Sequence, residues 1–359
     1  MKYTKEQLKL IWIDSFVFLD YGIKGVIYDI VKPENSIKDA LEKNSELLKT
    51  KLGEDKFNEL LNSANEVYLK YVIENLEKKG ISCLTLDSND YPEKLLLTDA
   101  PPWVIYYRGD EKLLVSDTFS IVGSRKSLPI SINVAKEITS ALVKKGVTLV
   151  TGIAEGIDET VLRTAIEKGG KVISVIAGGF DHVYPSTNQK LIEEISEVGL
   201  AISEYPPSVK PMPYFFPVRN RIIAGLSKGT LVVSGGIKSG TMHTAEYTGE
   251  YGRDLFAIPY NVGVKSGEGC NELIKRGAIL VDSPKDLLDY YGYEKEKERV
   301  EVTEEEKEIL EILSEGETHI EVIAEKTGKE VFKLLPLLSV LEIKGLVVKN
   351  GLNVYGRSI

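Results

Sequence analysis

Two neighbouring stretches decide the fold: DTFSIVGSRKS at residues 117–127 and GVTLVTGIAEGID at residues 146–158. In each, an apolar β-branched run leads directly into a glycine-containing turn, and a pattern with helical periodicity follows. Continuous apolar strands that alternate with amphipathic helices are typical of a parallel sheet covered by helices on both faces. The two stretches therefore predict an α/β layer sandwich.

The same alternation continues along the chain and predicts a Rossmann-like domain built on a parallel sheet. Its helical patterns include Ile130 to Lys145 and Glu159 to Lys168. Two earlier strand-like pieces, ISCLTL and WVIYYRG, are predicted to extend the edge of the sheet. The six strands predicted for the domain itself are Thr118 to Val122, Val147 to Thr151, Lys171 to Ile176, Ala201 to Ser203, Thr230 to Val233 and Asp254 to Ile258.

Composition and periodicity divide the chain into four parts. Residues 1–80 are predicted to form a helical N-terminal region, 81–292 the extended Rossmann-like domain, 293–302 a charged linker and 303–359 a small winged-helix-like domain. In the last part, three helical patterns precede the run LVVKNGLNVYG, whose Asn350-Gly351 pair is predicted to form a hairpin turn. Three helices followed by a hairpin are typical of a winged helix.

Composition excludes several classes of protein. The chain has 359 residues, of which 28% are charged, and no apolar run approaches the ~20 residues that a membrane-spanning helix needs. Cys83 and Cys270 lie far apart without a CxxC partner, and the three histidines do not cluster at ligand spacing. We therefore expect a cytoplasmic protein without a membrane span, a disulfide framework, a metal or a cofactor.

The net charge of −9 is distributed unevenly along the chain. Residues 117–292 carry 19 Lys and Arg against 19 Asp and Glu, whereas residues 293–359 carry 10 against 15. A positive groove in the central domain would therefore have to arise from the placement of its cations rather than from their excess. The acidic tail is expected to act as a docking or packing module rather than as a DNA reader.

Glycine-rich turns at the ends of predicted strands are candidates for binding an anion. Gly123 permits a sharp turn, after which Ser124 can offer a hydroxyl and a backbone N–H, and Arg125 a bidentate cation. Asp158 is expected to cap the helix that follows the second strand. A later loop, GGIKSGT at residues 235–241, runs into a helix and can form a nest of N–H donors for phosphate, although its spacing differs from a Walker A loop.

The segment PYFFPVRNR at residues 213–221 combines aromatic rings with guanidinium groups. Such a combination suits single-stranded nucleic acid, because bases stack on the rings while cations follow the phosphates. Phe215 is equally compatible with a core position, whereas Phe216, beside Pro217, is expected to lie in a loop. Tyr184 and Asn188 could contact a ligand or could serve as turn residues.

The motifs GSR, the GID turn, GG followed by YPSTN, FFPVRNRIIAGLS, SGGIKSGTMHTA and GCNELIKRGA occur in one order across Ile121 to Ala278. Together they resemble the DNA-processing protein A family, also called Smf. The resemblance implies a homodimeric, non-catalytic protein that binds single-stranded DNA without base preference and loads the RecA recombinase during natural transformation. The DNA pocket that it implies comprises Gly123, Ser124, Arg125, Phe216, Arg219, Asn220, Arg221, Lys238, Ser239 and Gly240.

Two departures from the family pattern lower the local positive charge. Glu155 and Val218 stand where family members commonly carry basic residues. These departures are expected to lower the affinity for DNA rather than to abolish binding. The rival reading is a nucleotide-binding enzyme or sensor of the lysine-decarboxylase-like group, which includes phosphoribohydrolases with a PGGxGTxxE loop. Here Glu246 follows Thr241 by five residues rather than three, which misplaces that carboxylate by most of a helical turn.

Overall fold

The computed structural model describes residues 3–293, 302–314 and 316–357 of the chain. The chain divides into two compact units, Met1–Gly292 and Tyr293–Ile359. In the described part of the chain, none of the helices is long and apolar enough to cross a membrane.

A nine-stranded sheet organises the first unit, in the order β1-β2-β6-β5-β4-β3-β7-β8-β9. Strands β3 to β9 pair in parallel, whereas β1 pairs antiparallel with β2 and β2 antiparallel with β6. The strands are β1 Ser82–Thr85, β2 Val104–Gly109, β3 Thr118–Val122, β4 Thr148–Thr151, β5 Val172–Val175, β6 Leu200–Ser203, β7 Gly229–Val232, β8 Asp254–Ala257 and β9 Ile279–Leu280.

The predicted α/β class and the six predicted strands are confirmed, as is the extension of the sheet by ISCLTL and WVIYYRG. Every residue of β3, β4, β5, β6 and β7 is buried, which explains why these strands are continuous apolar runs. Strand β3 lies between β4 and β7, so the chain winds away from it in both directions. The carboxyl end of β3 is therefore a topological switch point, where open parallel sheets bind their ligands.

Helices precede the sheet and connect its strands. Those of the N-terminal region surround an apolar core that includes Trp12, Phe16 and Phe57. The helices of the first unit are α1 Lys5–Asp14, α2 Tyr21–Val31, α3 Ile37–Lys43, α4 Ser45–Leu52, α5 Glu54–Ser63, α6 Glu66–Lys78, α7 Glu93–Leu96, α8 Pro129–Lys144, α9 Ile157–Glu167, α10 Gln189–Val198, α11 Phe215–Leu226, α12 Thr241–Glu250, α13 Glu268–Lys275 and α14 Pro284–Tyr290.

A buried polar contact joins the N-terminal helices to the sheet. The Asp14 carboxylate, at the end of α1, accepts a hydrogen bond from Lys24 Nζ at 2.7 Å and another from the Tyr106 hydroxyl of β2 at 2.9 Å. An unpaired carboxylate would be costly at this depth, and the hydrogen bond from Tyr106 is the one that joins α1 to the sheet.

The second unit has its own apolar core, formed by residues such as Ile309, Leu334 and Leu338. The predicted winged-helix order is confirmed, and the capping box of Thr303 and Glu306 opens the first helix as expected. Its helices are α15 Glu304–Leu313, α16 Ile320–Thr327 and α17 Val331–Ile343, and its strands are β10 Thr318–His319, β11 Val347–Gly351 and β12 Val354–Arg357.

The hairpin turn of the second unit differs from the prediction. It lies at Leu352 and Asn353 rather than at Asn350-Gly351, because the pairing of β11 with β12 shifts its register between Lys349 and Gly351. Asn353, the second of the two turn residues, has a positive φ of 63°, a conformation that Asn adopts more readily than most residues.

Candidate functional site

The loops at the carboxyl end of β3 are held by close backbone packing. A side chain at Gly123 would come within 2.5 Å of Ile157, so only glycine lets α9 approach the end of β3. Gly156 has a φ of 87°, and a Cβ there would lie 2.5 Å from the Ser124 carbonyl oxygen. The β3–α8 and β4–α9 loops therefore form one rigid surface.

Ser124 is engaged within this surface. Its backbone N–H donates to Ser234 Oγ at 3.1 Å, and its own Oγ accepts the Lys126 N–H at 3.2 Å. The expectation that Ser124 offers a free N–H to a phosphate is therefore wrong: the hydrogen bond to Ser234 ties the end of β3 to the end of β7. The place of Ser124 in the DNA pocket stays a prediction.

Arg125 is exposed and stands beside two aromatic rings. Its guanidinium carbon lies 5.5 Å from the ring centre of Phe216 and 6.0 Å from that of Tyr184, within the range of cation–π contacts. The two rings meet edge to face, with centroids 5.6 Å apart. We call Arg125, Tyr184 and Phe216 the cation–aromatic cluster.

Both phenylalanines lie in the first turn of α11, so the expectation of a loop at Phe216 is wrong. The helix begins at Phe215, four residues before Arg219. Phe215 is buried and stacks on Tyr205 with a centroid distance of 4.0 Å, which makes it a core residue. Phe216 faces outward and is only partly buried.

Arg219 lies beneath the loops rather than on the surface, with 5% of its area exposed. Its Nη1 donates to the Val175 carbonyl at the end of β5. A Cβ at Gly152 would lie 2.5 Å from Asp158 Oδ2 and 2.8 Å from Arg219 Nη1, so this glycine packs directly on both groups. Asp158 and Arg219 thus form a buried charged layer under the β4–α9 loop.

Burial shifts the pKa values of this buried layer. It raises the pKa of Asp158 to about 6, against the opposing effect of the Arg219 charge, and lowers the pKa of Arg219 to about 10, against that of Asp158. Asp158 is not the N-cap residue expected from the sequence, since Gly156 occupies that position.

Asn220 joins α11 to the glycine-rich loop. Its Oδ1 accepts from Arg219 Nε at 3.1 Å, and its Nδ2 donates to the Gly240 carbonyl at 3.2 Å. Arg221 points elsewhere: it is buried and donates to Glu204 Oε2 at 2.5 Å, beyond the end of β6. The structure therefore does not bring Arg221 to the cation–aromatic cluster, and Glu204 already compensates its charge.

The loop between β7 and α12 presents backbone donors at a helix N-terminus. The N–H groups of Gly236, Ile237, Lys238 and Gly240 have no acceptor within residues 3–293. Lys238 and Gly240 are exposed, whereas Ser239 Oγ is buried without a hydrogen-bond partner in the described chain. Such a loop is suited to an anionic group.

Sequence reasoning left two features of this edge undecided or unnamed. Tyr184 is half exposed and belongs to the cluster, while Asn188, its companion in the YPSTN motif, is buried and donates to the Ile153 carbonyl. Lys126 is exposed beside Arg125. Its position directly after the GSR motif was the signal in the sequence by which it could have been predicted as a second cation of the site. Glu155 is also exposed and opposes these charges.

The described residues contain no group of three or more His, Cys, Asp or Glu side chains placed to hold a metal ion. The fold and the site together define a class: an α/β protein with a mostly parallel sheet whose glycine-rich loops, cations and partly exposed rings at the switch point are suited to an anionic, aromatic ligand.

The particular family follows from comparison with known proteins. The model of the DNA recombination-mediator protein A family matches residues 82–292, and that of the DprA winged helix domain matches residues 294–350. The chain belongs to the DNA recombination-mediator protein A family, as the resemblance implied.

Individual relatives agree with this assignment. Protein Smf of Synechocystis is 39% identical over 61% of this chain and 56% of its own length, and the DNA processing protein DprA of Bacillus subtilis is 36% identical over 64% and 78%. The X-ray structure of DprA from Streptococcus pneumoniae superposes with a TM-score of 0.69 at 29% identity, covering 80% of this chain and 98% of that one.

A second similar structure is that of a relative whose single-stranded DNA binding mode has been described. This protein, DprA from Helicobacter pylori, gives a TM-score of 0.55 at 30% identity over 59% of this chain and 96% of its own.

Proposed function

We propose that the chain binds single-stranded DNA, without base preference, at the carboxyl end of β3. The observation that carries this proposal is the cation–aromatic cluster: Arg125 lies over the rings of Phe216 and Tyr184 at a solvent-exposed edge. Unpaired bases expose π-faces that stack on such rings, and each base brings a phosphate for a nearby cation. A duplex hides those faces, so the cluster favours a single strand.

Lys238 and the glycine-rich loop supply a second contact for the backbone. The free N–H groups of this loop and the N-terminus of α12 attract a phosphate, and Asn220 holds the loop to α11 beside the cluster. Phosphates contacted at both places would align the strand along the sheet edge. None of these contacts reads a base edge, which is why we expect no sequence preference.

We further propose that the protein acts as a binding protein rather than as an enzyme. In the family's context, a homodimer in the cytoplasm would hold incoming single-stranded DNA and transfer it to the RecA recombinase during natural transformation. The relatives named above support a role in DNA processing. The transfer itself calls for a separate test: whether adding this protein accelerates RecA filament formation on DNA that is already covered by a single-strand binding protein.

Titration of fluorescent oligo(dT) in competition with unlabelled mononucleotide tests the binding proposal. We expect the oligonucleotide to bind far more tightly than dTMP and its affinity to fall with salt. Each neutralised phosphate adds about 0.7 to the slope of log affinity against log salt, so contacts from Arg125, Lys126 and Lys238 predict a slope near −2. Equal affinity for the mononucleotide, or a flat salt response, would instead support a nucleotide-binding enzyme or sensor.

A further inference from the structure

The third helix of the winged-helix unit, α17, has an apolar outer face. Its inner side packs into the core through Leu334, Leu338 and Leu341. Its outer side exposes 64% of Phe332 and 87% of Ile343. Leu335, Pro336 and Val340 are also exposed between these two residues. We call Phe332, Leu335, Pro336, Ser339, Val340 and Ile343 the α17 outer face.

This face lacks the side chains that a DNA-reading helix uses. A recognition helix contacts base edges with Arg, Lys, Asn or Gln, and phosphates with further cations. The exposed charges of α17 are Lys333 and Glu342, one of each sign, and the Lys333 ammonium lies 5.8 Å from the Phe332 ring centre. With 10 basic against 15 acidic residues from 293 to 359, the unit has an excess of negative charge, which disfavours the approach of DNA. A protein surface is the better match.

The arrangement of the face is nearly symmetric about its midpoint. Phe332 and Ile343 are eleven positions apart, which turns the helix by about 1,100° and returns Ile343 to within about 20° of Phe332, some 16 Å further along. Pro336 and Ser339, which are smaller, lie between them on the same side. The face therefore has a bulky residue at each end and smaller residues at its centre.

A two-fold axis through this centre makes the face complementary to itself. When two copies pack antiparallel, Phe332 of each lies opposite Ile343 of the other, and the smaller central residues let the helices approach closely. The exposed apolar area is roughly 500 Å² per copy, so pairing would bury about 1,000 Å², the lower bound for a specific interface. Because the exposed charges of α17 are one cation and one anion, Lys333 and Glu342, the acidity of the unit is not concentrated where the copies meet.

We propose that the α17 outer face is an interface for a second copy of this chain, formed by antiparallel pairing of the two α17 helices. This interface is independent of the DNA site of the first unit. If the first unit also dimerises, tail pairing links dimers into tetramers or longer assemblies.

Cross-linking of the full-length chain tests both the contact and its orientation. Cys83 and Cys270 are buried, so the unsubstituted chain provides a background with little reaction. Phe332→Cys and Ile343→Cys proteins are mixed and treated with a short bismaleimide. Antiparallel pairing predicts at least fivefold more cross-linking between the two different variants than within either variant alone. Equal yields in all three samples, or no cross-link, would overturn the proposal.

Sedimentation velocity over a concentration series provides the second measurement. The double substitution Phe332→Glu and Ile343→Glu is expected to halve the assembly mass at least, while Leu352→Glu, a control in the exposed hairpin turn, leaves the mass unchanged. Loss of duplex DNA binding in the double variant without a change of mass would assign the face to nucleic acid and contradict the proposal. An unchanged mass without a DNA effect contradicts it as well.

Discussion

The carboxyl end of β3 is where open parallel sheets bind their ligands, and α17 holds the position of a recognition helix, yet the chemistry of the two places is opposite. The first combines an exposed arginine with two rings and a loop of free N–H donors. The second is apolar and belongs to a unit with an excess of carboxylates. The fold offers a binding position, and the side chains at that position decide what it binds.

The comparison also shows why total charge misleads. Residues 117–292 carry as many cations as anions, but Arg125, Lys126 and Lys238 are exposed at one edge. Arg219 and Arg221 contribute less than their motif suggests, because both are buried with partners inside the protein. Placement and exposure, rather than number, define the positive surface.

The largest effect is expected at Arg125. Arg125→Ala removes a cation and the ring contacts together, and we expect about thirtyfold weaker binding of oligo(dT). Fluorescence anisotropy measures the change. Arg163→Ala is the matched control, because Arg163 is an exposed arginine of the same unit that is paired with Glu159 on α9. Equal affinity of the two variants for oligo(dT) would show that DNA does not bind at the carboxyl end of β3.

Phe216→Ala should come next, with a loss of about 1–2 kcal/mol of binding free energy, the lower part of the 1–3 kcal/mol range for lost base stacking. Phe216→Leu should restore only part of this loss, since leucine fills space without a π-face. Thermal melting serves as the control for both variants. If Phe216→Ala unfolds the unit, or if leucine restores full affinity, the ring has a packing role and the stacking account fails.

Lys238→Ala should weaken oligo(dT) binding about fivefold and lower the salt slope by about 0.7, the contribution of one phosphate. Lys238 is exposed, so the loop around it should keep its structure. Lys285→Ala, a highly exposed lysine on α14, is the control. A loss of affinity without a change in slope would mean that Lys238 shapes the loop rather than contacting a phosphate.

The buried layer of Asp158 and Arg219 predicts a smaller, pH-dependent effect. The pKa of Asp158, about 6, is above its ordinary value, so the folded state favours the neutral carboxyl and loses stability as the pH rises through 6. Below pH 6 the charge of Arg219 is less compensated, and oligo(dT) affinity should rise about two- to threefold from pH 7 to pH 5. Asp158→Asn should flatten this profile. An identical profile in the variant would assign the pH response to other groups.

The smallest effect is expected from the second unit. A chain that ends after Glu298 should retain affinity for oligo(dT) within about twofold, because the acidic unit has few cations to offer a strand. The full-length chain is the reference in the same titration. A tenfold loss of oligo(dT) affinity in a folded, truncated protein would show that the winged-helix unit contributes to DNA binding. The two regions would then not differ in this function.

The positions of the strands along the chain and the α/β class were predictable because they follow from periodicity, whereas the order of the strands within the sheet was not predicted. The apolar runs of β3 to β7 are buried on both faces, and strands β3 to β8 are each found within two residues of their predicted bounds. The hairpin turn was displaced because a local register shift in β11 moves it to Leu352 and Asn353. Periodicity records which side chains are buried but not such irregularities in strand pairing.

The site was only partly predictable, for a related reason. Glycine motifs correctly indicated where the backbone packs closely, as at Gly123 and Gly156. Burial of Arg219 could not be derived, because it depends on Asp158 and Gly152 from a distant part of the chain. The pairing of Arg221 with Glu204 is likewise a tertiary contact. A charged residue in a motif does not by itself reveal whether its partner lies inside the protein or in a ligand.

Amide hydrogen exchange of the full-length chain, with and without saturating oligo(dT), tests the central claim most directly. The account predicts slower exchange on DNA binding in peptides that cover residues 123–127, 214–218 and 235–241. It predicts no change in the peptide that covers residues 331–343, the α17 helix. Protection of residues 331–343 on DNA binding, with residues 123–127 and 235–241 unchanged, would contradict it.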